Sequence, residues 1–227
     1  MFCLPYAGGN ASFFNRWKGK LDSNITLVPI EYKGHGVRMG EQLIEDVSEM
    51  IEDICCCILD KKPADPFALF GYSMGAKLCV MVAARLFELT GEQPETMFLC
   101  ASTPPHILDE NFGWENDDEL TKRLFQYGGM PPEVLQSKEL CDLFFPIIKA
   151  DFSLCSKIRF TLDKPMFDCD LFVLYSPVDD RNKKMEQWRA YTTAECRFLE
   201  FDGTHFFIKE YENDVLMLIN SKFARYL

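Results

Sequence analysis

The sequence predicts an α/β fold, a mainly parallel sheet with helices on both faces, and three observations predict it. Short apolar runs rich in Val, Ile, Leu and Phe alternate with longer stretches of helical periodicity, the pattern of repeated βαβ units. The 227 residues suit one domain spanning 1–227 better than two smaller ones. A Gly-x-Ser-x-Gly stretch, Gly71 to Gly75, falls where an apolar run passes into a helical one. The composition agrees: with 48% hydrophobic and 26% charged residues the chain can bury a core, which excludes disorder and fibrous repeats.

Taken in order, strands are expected near Phe2–Leu4, Thr26–Glu31, Phe67–Gly71, Thr96–Ala101, Asp170–Ser176 and Cys196–Phe201. Helices are expected over Ala11–Lys18, Glu41–Leu59, Met74–Thr90, Lys183–Tyr191 and Ile208–Arg225, with Gly19 and Gly91 as stops. One connection breaks the rhythm. Residues 104–164 separate two strands by far more than an ordinary αβ loop and carry two or three helical patterns, so they read as an inserted lid. Leu120, Leu124 and Phe125 make one apolar face there, and Leu140, Leu143, Phe144, Ile147 and Ile148 another.

Charge and cysteine content narrow the classes. A net charge of −11 argues against nucleic-acid binding, and no apolar run reaches membrane-spanning length. The ten cysteines include no Cys-x-x-Cys pair and no signal peptide precedes them, so neither a metal site nor a disulfide scaffold is expected; reduced thiols in a cytoplasmic protein are.

The chemistry concentrates at four places. Ser73, between Gly71 and Gly75, sits on the strand–turn–helix a nucleophile elbow requires. Its hydroxyl needs a base, and His205, in Asp202-Gly203-Thr204-His205-Phe206 after the last strand, comes at the right point of the chain order. His35 and His106 break that order and read as surface or loop-packing histidines. The orienting carboxylate should follow the strand ending at Ser176, where Asp179 and Asp180 both qualify and spacing does not choose. Donors for a developing oxyanion are expected from the N–H groups of Met74, next to the nucleophile, and Ala7, in the glycine-rich loop Pro5–Gly9.

This constellation resembles the type II thioesterases that accompany nonribosomal peptide and polyketide synthases, members of the α/β-hydrolase superfamily. The resemblance runs nearly end to end: Leu4-Pro-Tyr-Ala-Gly-Gly9, Gly34-His-Gly-Val-Arg38, Gly71-Tyr-Ser-Met-Gly-Ala76, Tyr127-Gly-Gly-Met-Pro-Pro-Glu-Val-Leu135, Ala150-Asp151-Phe152 and Gly203-Thr-His-Phe-Phe-Ile208. It implies an α/β-hydrolase fold with a helical lid. Laying Ser176-Pro177 over the family's Gly-Gly-x-x-Asp loop places the acid at Asp180. Tyr72 stands where the family has His, and Ser102-Thr103-Pro104-Pro105 replaces a basic loop. The first strand begins almost at Met1, which suggests absent leading residues or a short start.

The expected activity is serine-dependent hydrolysis of acyl thioesters without a cofactor. The resemblance implies the rest: acyl or peptidyl carrier proteins bearing phosphopantetheine as partners alongside small acyl thioesters, an editing role on an assembly line, and a monomeric enzyme. Carrier proteins of this kind are acidic, so a basic cluster at Arg181, Lys183, Lys184 and Arg189 is the expected docking patch. The alternatives are a carboxylesterase or lipase, which would share the same residues, and a non-catalytic ligand receptor on the same fold.

Overall fold

Six parallel strands in the order β2-β1-β3-β4-β5-β6 form the sheet: β1 (Phe2–Leu4), β2 (Val28–Pro29), β3 (Ala68–Tyr72), β4 (Thr96–Cys100), β5 (Asp170–Tyr175) and β6 (Cys196–Glu200). The structure is a computed structural model and describes residues 1–61, 66–108, 113–179 and 184–224. Every residue of β3 and β4 is buried, as expected of central strands covered on both faces. One apolar core joins Leu69, Leu99 and Val173 to α1 (Val47–Lys61) and α2 (Met74–Thr90). The opposite core joins Phe70, Phe98 and Phe172 to Phe14, Trp17 and α6 (Glu212–Phe223).

The topology fixes where a site can form. From β1 the chain moves outward to β2, then returns past β1 to β3, so the order reverses between β1 and β3. The crevice at the C-terminal ends of such a pair is where open parallel sheets bind ligands, and the loops after β1 and β3 both emerge there.

The differences from expectation have local causes. The second strand shrinks to Val28–Pro29 at the sheet edge, where Pro29 is tolerated because the Val28 and Ile30 N–H groups make the bonds to β1 and the Pro29 nitrogen faces the open side. The helix expected from Glu41 begins at Val47, since the Asp46 carboxylate accepts the Glu49 N–H and caps it there. Residues 185–191 and 11–17 form 3₁₀ turns, and the last helical pattern divides into a 3₁₀ turn, Phe207–Lys209, and α6.

Between β4 and β5 lie α3 (Asp117–Tyr127), α4 (Pro132–Leu135) and α5 (Lys138–Lys157). Asn116 caps α3 through the N–H groups of Asp118 and Glu119, and Gly128, at φ +66°, ends it. Pro146 lies inside α5, where it removes one helical hydrogen bond. Leu120, Leu124, Ile147 and Ile148 are buried, but Phe125, Leu140 and Leu143 are exposed. Each helical residue turns about 100° from the last, so Phe125 cannot share the face of Leu124.

Candidate active site

Ser73 is held by three constraints. Its backbone has φ 54° and ψ −113°, a region a non-glycine residue occupies only when its surroundings hold it there. Its N–H donates to the Cys100 carbonyl at 2.8 Å, which extends the β3–β4 ladder up to the turn. A Cβ on Gly71 would overlap the Gly75 backbone, and one on Gly75 would overlap the Leu4 carbonyl, so both glycines are required by close approach. The outcome is a serine at the mouth of α2 whose hydroxyl faces the crevice.

His205 arrives on the loop after β6, and two hydrogen bonds fix that loop. The Tyr72 hydroxyl donates to the His205 carbonyl at 2.5 Å, and the Ser176 hydroxyl donates to the Gly203 carbonyl at 2.5 Å. Tyr72 therefore has a use of its own where a histidine was expected: it anchors the loop that carries the base. His205 Nδ1 lies 2.6 Å from Asp179 Oδ2, and its Nε2 lies 3.1 Å from Ser73 Oγ. A carboxylate only accepts, so the Nδ1 bond fixes the proton on Nδ1 and leaves Nε2 to accept the serine proton. The imidazole and the Asp179 carboxylate are both almost wholly buried, which strengthens their interaction.

The acid requires a correction. Alignment on the two glycines pointed to Asp180; Asp180 lies outside the described residues, and the carboxylate that meets His205 is that of Asp179. The cause is a turn in which the Asp179 N–H donates to the Ser176 carbonyl at 3.3 Å while Ser176 is tied to Gly203. This brings Asp179, the third residue after Ser176, to the histidine.

Ala7 and Gly8 line a cavity together with Ser73 and His205. It is a cleft of about 490 Å³ when the open solvent at its mouth is counted, and its far walls are Leu124 and Tyr127 of α3 and Ile148 and Phe152 of α5. Met74 starts α2 directly after Ser73, where the first N–H groups of a helix have no partner within it. The site thus offers a serine hydroxyl, an imidazole whose Nε2 can accept its proton, a buried carboxylate on Nδ1 and an apolar cleft.

A family model for the thioesterase domain matches residues 1–223. The chain belongs to the thioesterase family. It is 30% identical over 96% of its length to the medium-chain S-acyl fatty acid synthase thioesterase of Anas platyrhynchos, covering 88% of that protein. It is 28% identical over 95% of its length to the gramicidin S biosynthesis protein GrsT of Aneurinibacillus migulanus, covering 85% of it. Among solved structures, the type II thioesterase BorB from the borrelidin biosynthetic cluster superposes with a TM-score of 0.85 at 27% identity, over 97% of this chain and 90% of that one. The resemblance drawn from the motifs stands, and the chain is a thioester hydrolase.

In this thioesterase the other two histidines do different work from His205. His106 is hydrogen-bonded to the Tyr191 hydroxyl and to Gln187 Oε1, both at 2.8 Å, and packs a loop. His35 is buried and pairs with Asp151 of α5. Sequence reasoning did not assign Tyr127, whose ring lies 5.4 Å from that of His205 and lines the cavity; its place in the Tyr127-Gly-Gly motif was the available signal. Of the basic cluster, Arg181 and Lys183 lie outside the described residues, Lys184 is exposed, and the Arg189 guanidinium sits 5.3 Å over the Phe198 ring. Among the described residues no helix is long and apolar enough to cross a membrane, and no group of three or more His, Cys, Asp or Glu residues is placed to hold a metal ion.

Proposed function

We propose that Ser73, His205 and Asp179 form the catalytic triad, with the N–H groups of Ala7 and Met74 as oxyanion donors. The substrate is an acyl group on the phosphopantetheine arm of a carrier protein, removed as an editing step on a nonribosomal peptide or polyketide assembly line. The observation that carries this reading is the continuous hydrogen-bonded path from Asp179 through His205 to Ser73. Along it His205 takes the Ser73 proton as Oγ attacks the thioester carbonyl, and the oxyanion forms against the Ala7 and Met74 N–H groups. The pantetheine thiol leaves with the proton from His205, and the same imidazole then activates water against the acyl-enzyme. The apolar chamber under α3 and α5 suits the acyl chain, and residues 104–164 serve as its lid.

A cytoplasmic enzyme fits the ten cysteines, none of them in a disulfide, three of them consecutive at Cys55–Cys57. A second reading, release of a fatty acyl chain from a fatty acid synthase, is favoured by the similarity to the Anas platyrhynchos protein. One comparison separates these readings from an oxygen-ester hydrolase: the same acyl group presented on coenzyme A, on an excised carrier domain and as an oxygen ester. Editing predicts the highest kcat/KM on the carrier domain with little preference for chain length. Chain release predicts a sharp optimum at one medium length, and equal rates on all three presentations would refute both.

A further inference from the structure

The loop carrying Ala7 is gripped from outside the triad. The Tyr32 hydroxyl donates to the Pro5 carbonyl at 3.0 Å, and the Gly9 N–H donates to the Tyr6 carbonyl at 2.8 Å. Gly8, at φ +76°, donates its N–H to Asp151 Oδ2 at 2.6 Å across 143 residues of chain. The same oxygen lies 2.9 Å from His35 Nε2, while His35 Nδ1 lies 2.9 Å from the Lys33 carbonyl. Both partners of the ring only accept, so both ring nitrogens must donate and His35 is an imidazolium facing an Asp151 carboxylate. The two side chains are 2% and 1% exposed. Nothing in the triad needs a second buried ion pair, and such a pair is weak support for stability alone.

We infer that Asp151, paired with His35, is a positioning residue that fixes the Gly8 peptide and with it the direction of the Ala7 N–H toward the oxyanion. The inference rests on the reading of Ala7 as an oxyanion donor given above. Three observations point the same way. Asp151 Oδ1 is buried without a hydrogen-bond partner, so half of the carboxylate goes unused while the other half serves Gly8 and His35. Gly8 cannot be moved toward α5, because a Cβ there would meet Ile148. Ala7 and Gly8 line the chamber at Ser73, so a displacement of this peptide is felt where the negative charge develops.

The groups facing the pair are Glu31, the Lys33 carbonyl and Tyr32, whose ring lies 5.6 Å from that of His35, while the Cys79 and Cys155 thiols lie toward Tyr32. Burial opposes a charge on His35, but the hydrogen bond and charge of Asp151 outweigh it and raise the imidazole above its ordinary value. A raised value means the charged clamp is fully present at low pH and is lost as pH rises through that value. Tyr32 is held well above the usual phenol range by burial, as is the Cys79 thiol above its own, so neither places a negative charge beside the pair.

The test is steady-state hydrolysis of a small acyl thioester by the whole chain, with Asp151→Asn and His35→Gln variants. Asp151→Asn should lower kcat by about 10- to 100-fold with KM unchanged, because an oxyanion donor acts in the transition state. Affinity for an acyl-mimicking boronic acid, which forms a tetrahedral adduct on Ser73, should fall by the same factor. His35→Gln keeps a donor for Asp151, so it should lose less, and it should lack the alkaline fall in kcat that the native enzyme shows. Unchanged kcat in a folded variant, a loss confined to KM, or a native kcat with no alkaline fall would each overturn the inference. Ser73→Ala in the same assay separates the two levels: turnover surviving there refutes the reading of the triad itself.

Discussion

Ser73 presents its hydroxyl only because the Cys100 carbonyl, Gly71 and Gly75 hold its backbone at positive φ. Removing the hydroxyl should cost chemistry and not folding: Ser73→Ala is expected to lose at least about a thousandfold in kcat with an unchanged melting temperature. His205→Ala should match it, and the double variant should be no worse than either single one, since the residues act as a unit. Between the two neighbouring acids, Asp179→Asn should be the damaging change and Asp180→Asn the mild one, as judged by kcat; the reverse order would reinstate Asp180. Tyr72→Phe deletes the bond to the His205 carbonyl and should cost about 1 kcal/mol of stability, measured by urea unfolding. At this scale Ser73 and His205 were readable as candidates because each sits in a specific motif, and the structure places them within hydrogen-bonding distance. The acid was not, because the choice between adjacent aspartates depends on a turn closed by Ser176 and Gly203, residues 27 apart. Asp151 and His35 lie 116 apart, and only the fold brings them together.

Strands and helices were legible where periodicity decides them. β1, β3 and α2 came out within a residue of expectation because each is an uninterrupted apolar run or stripe. The edge strand and the start of α1 were not, since β2 has only the three-residue β1 to pair with and an aspartate cap overrides the pattern before α1. The insertion follows the same logic: its helices were visible, but which side of each faces inward was set by their packing over Ala7 and Ser73. If α3 and α4 form a lid, they must part from the sheet when a tethered acyl chain enters. Amide hydrogen exchange should then be faster across Gln126–Leu135 than across Ala68–Tyr72 in the resting enzyme, and equal protection would argue for a fixed cover.

At the scale of the molecule, the reversal of strand order between β1 and β3 sets the oxyanion loop beside the elbow, and the loops after β5 and β6 complete the site along the same edge. The net charge of −11 acts at this scale too. Against an acidic carrier it should slow encounter most in dilute buffer, where screening reaches only beyond about 30 Å at 0.01 M salt and tightens to about 8 Å at 0.15 M. So kcat/KM for a carrier-bound acyl group should rise with salt over that range while a neutral small thioester stays flat; a fall instead would reveal a local basic patch that attracts the carrier. Pro146 bears on how such a substrate could be admitted. It divides α5 into an outer stretch, with Leu140 and Leu143 in solvent, and an inner one, where Ile148 and Asp151 lie against Gly8. A bend at the break would let the outer stretch swing away with α4 while the inner one kept its contacts with Gly8. An enzyme hinged there would stand open with Asp151 still on Gly8, so water could reach an acyl-enzyme without the loop after β1 having to be rebuilt.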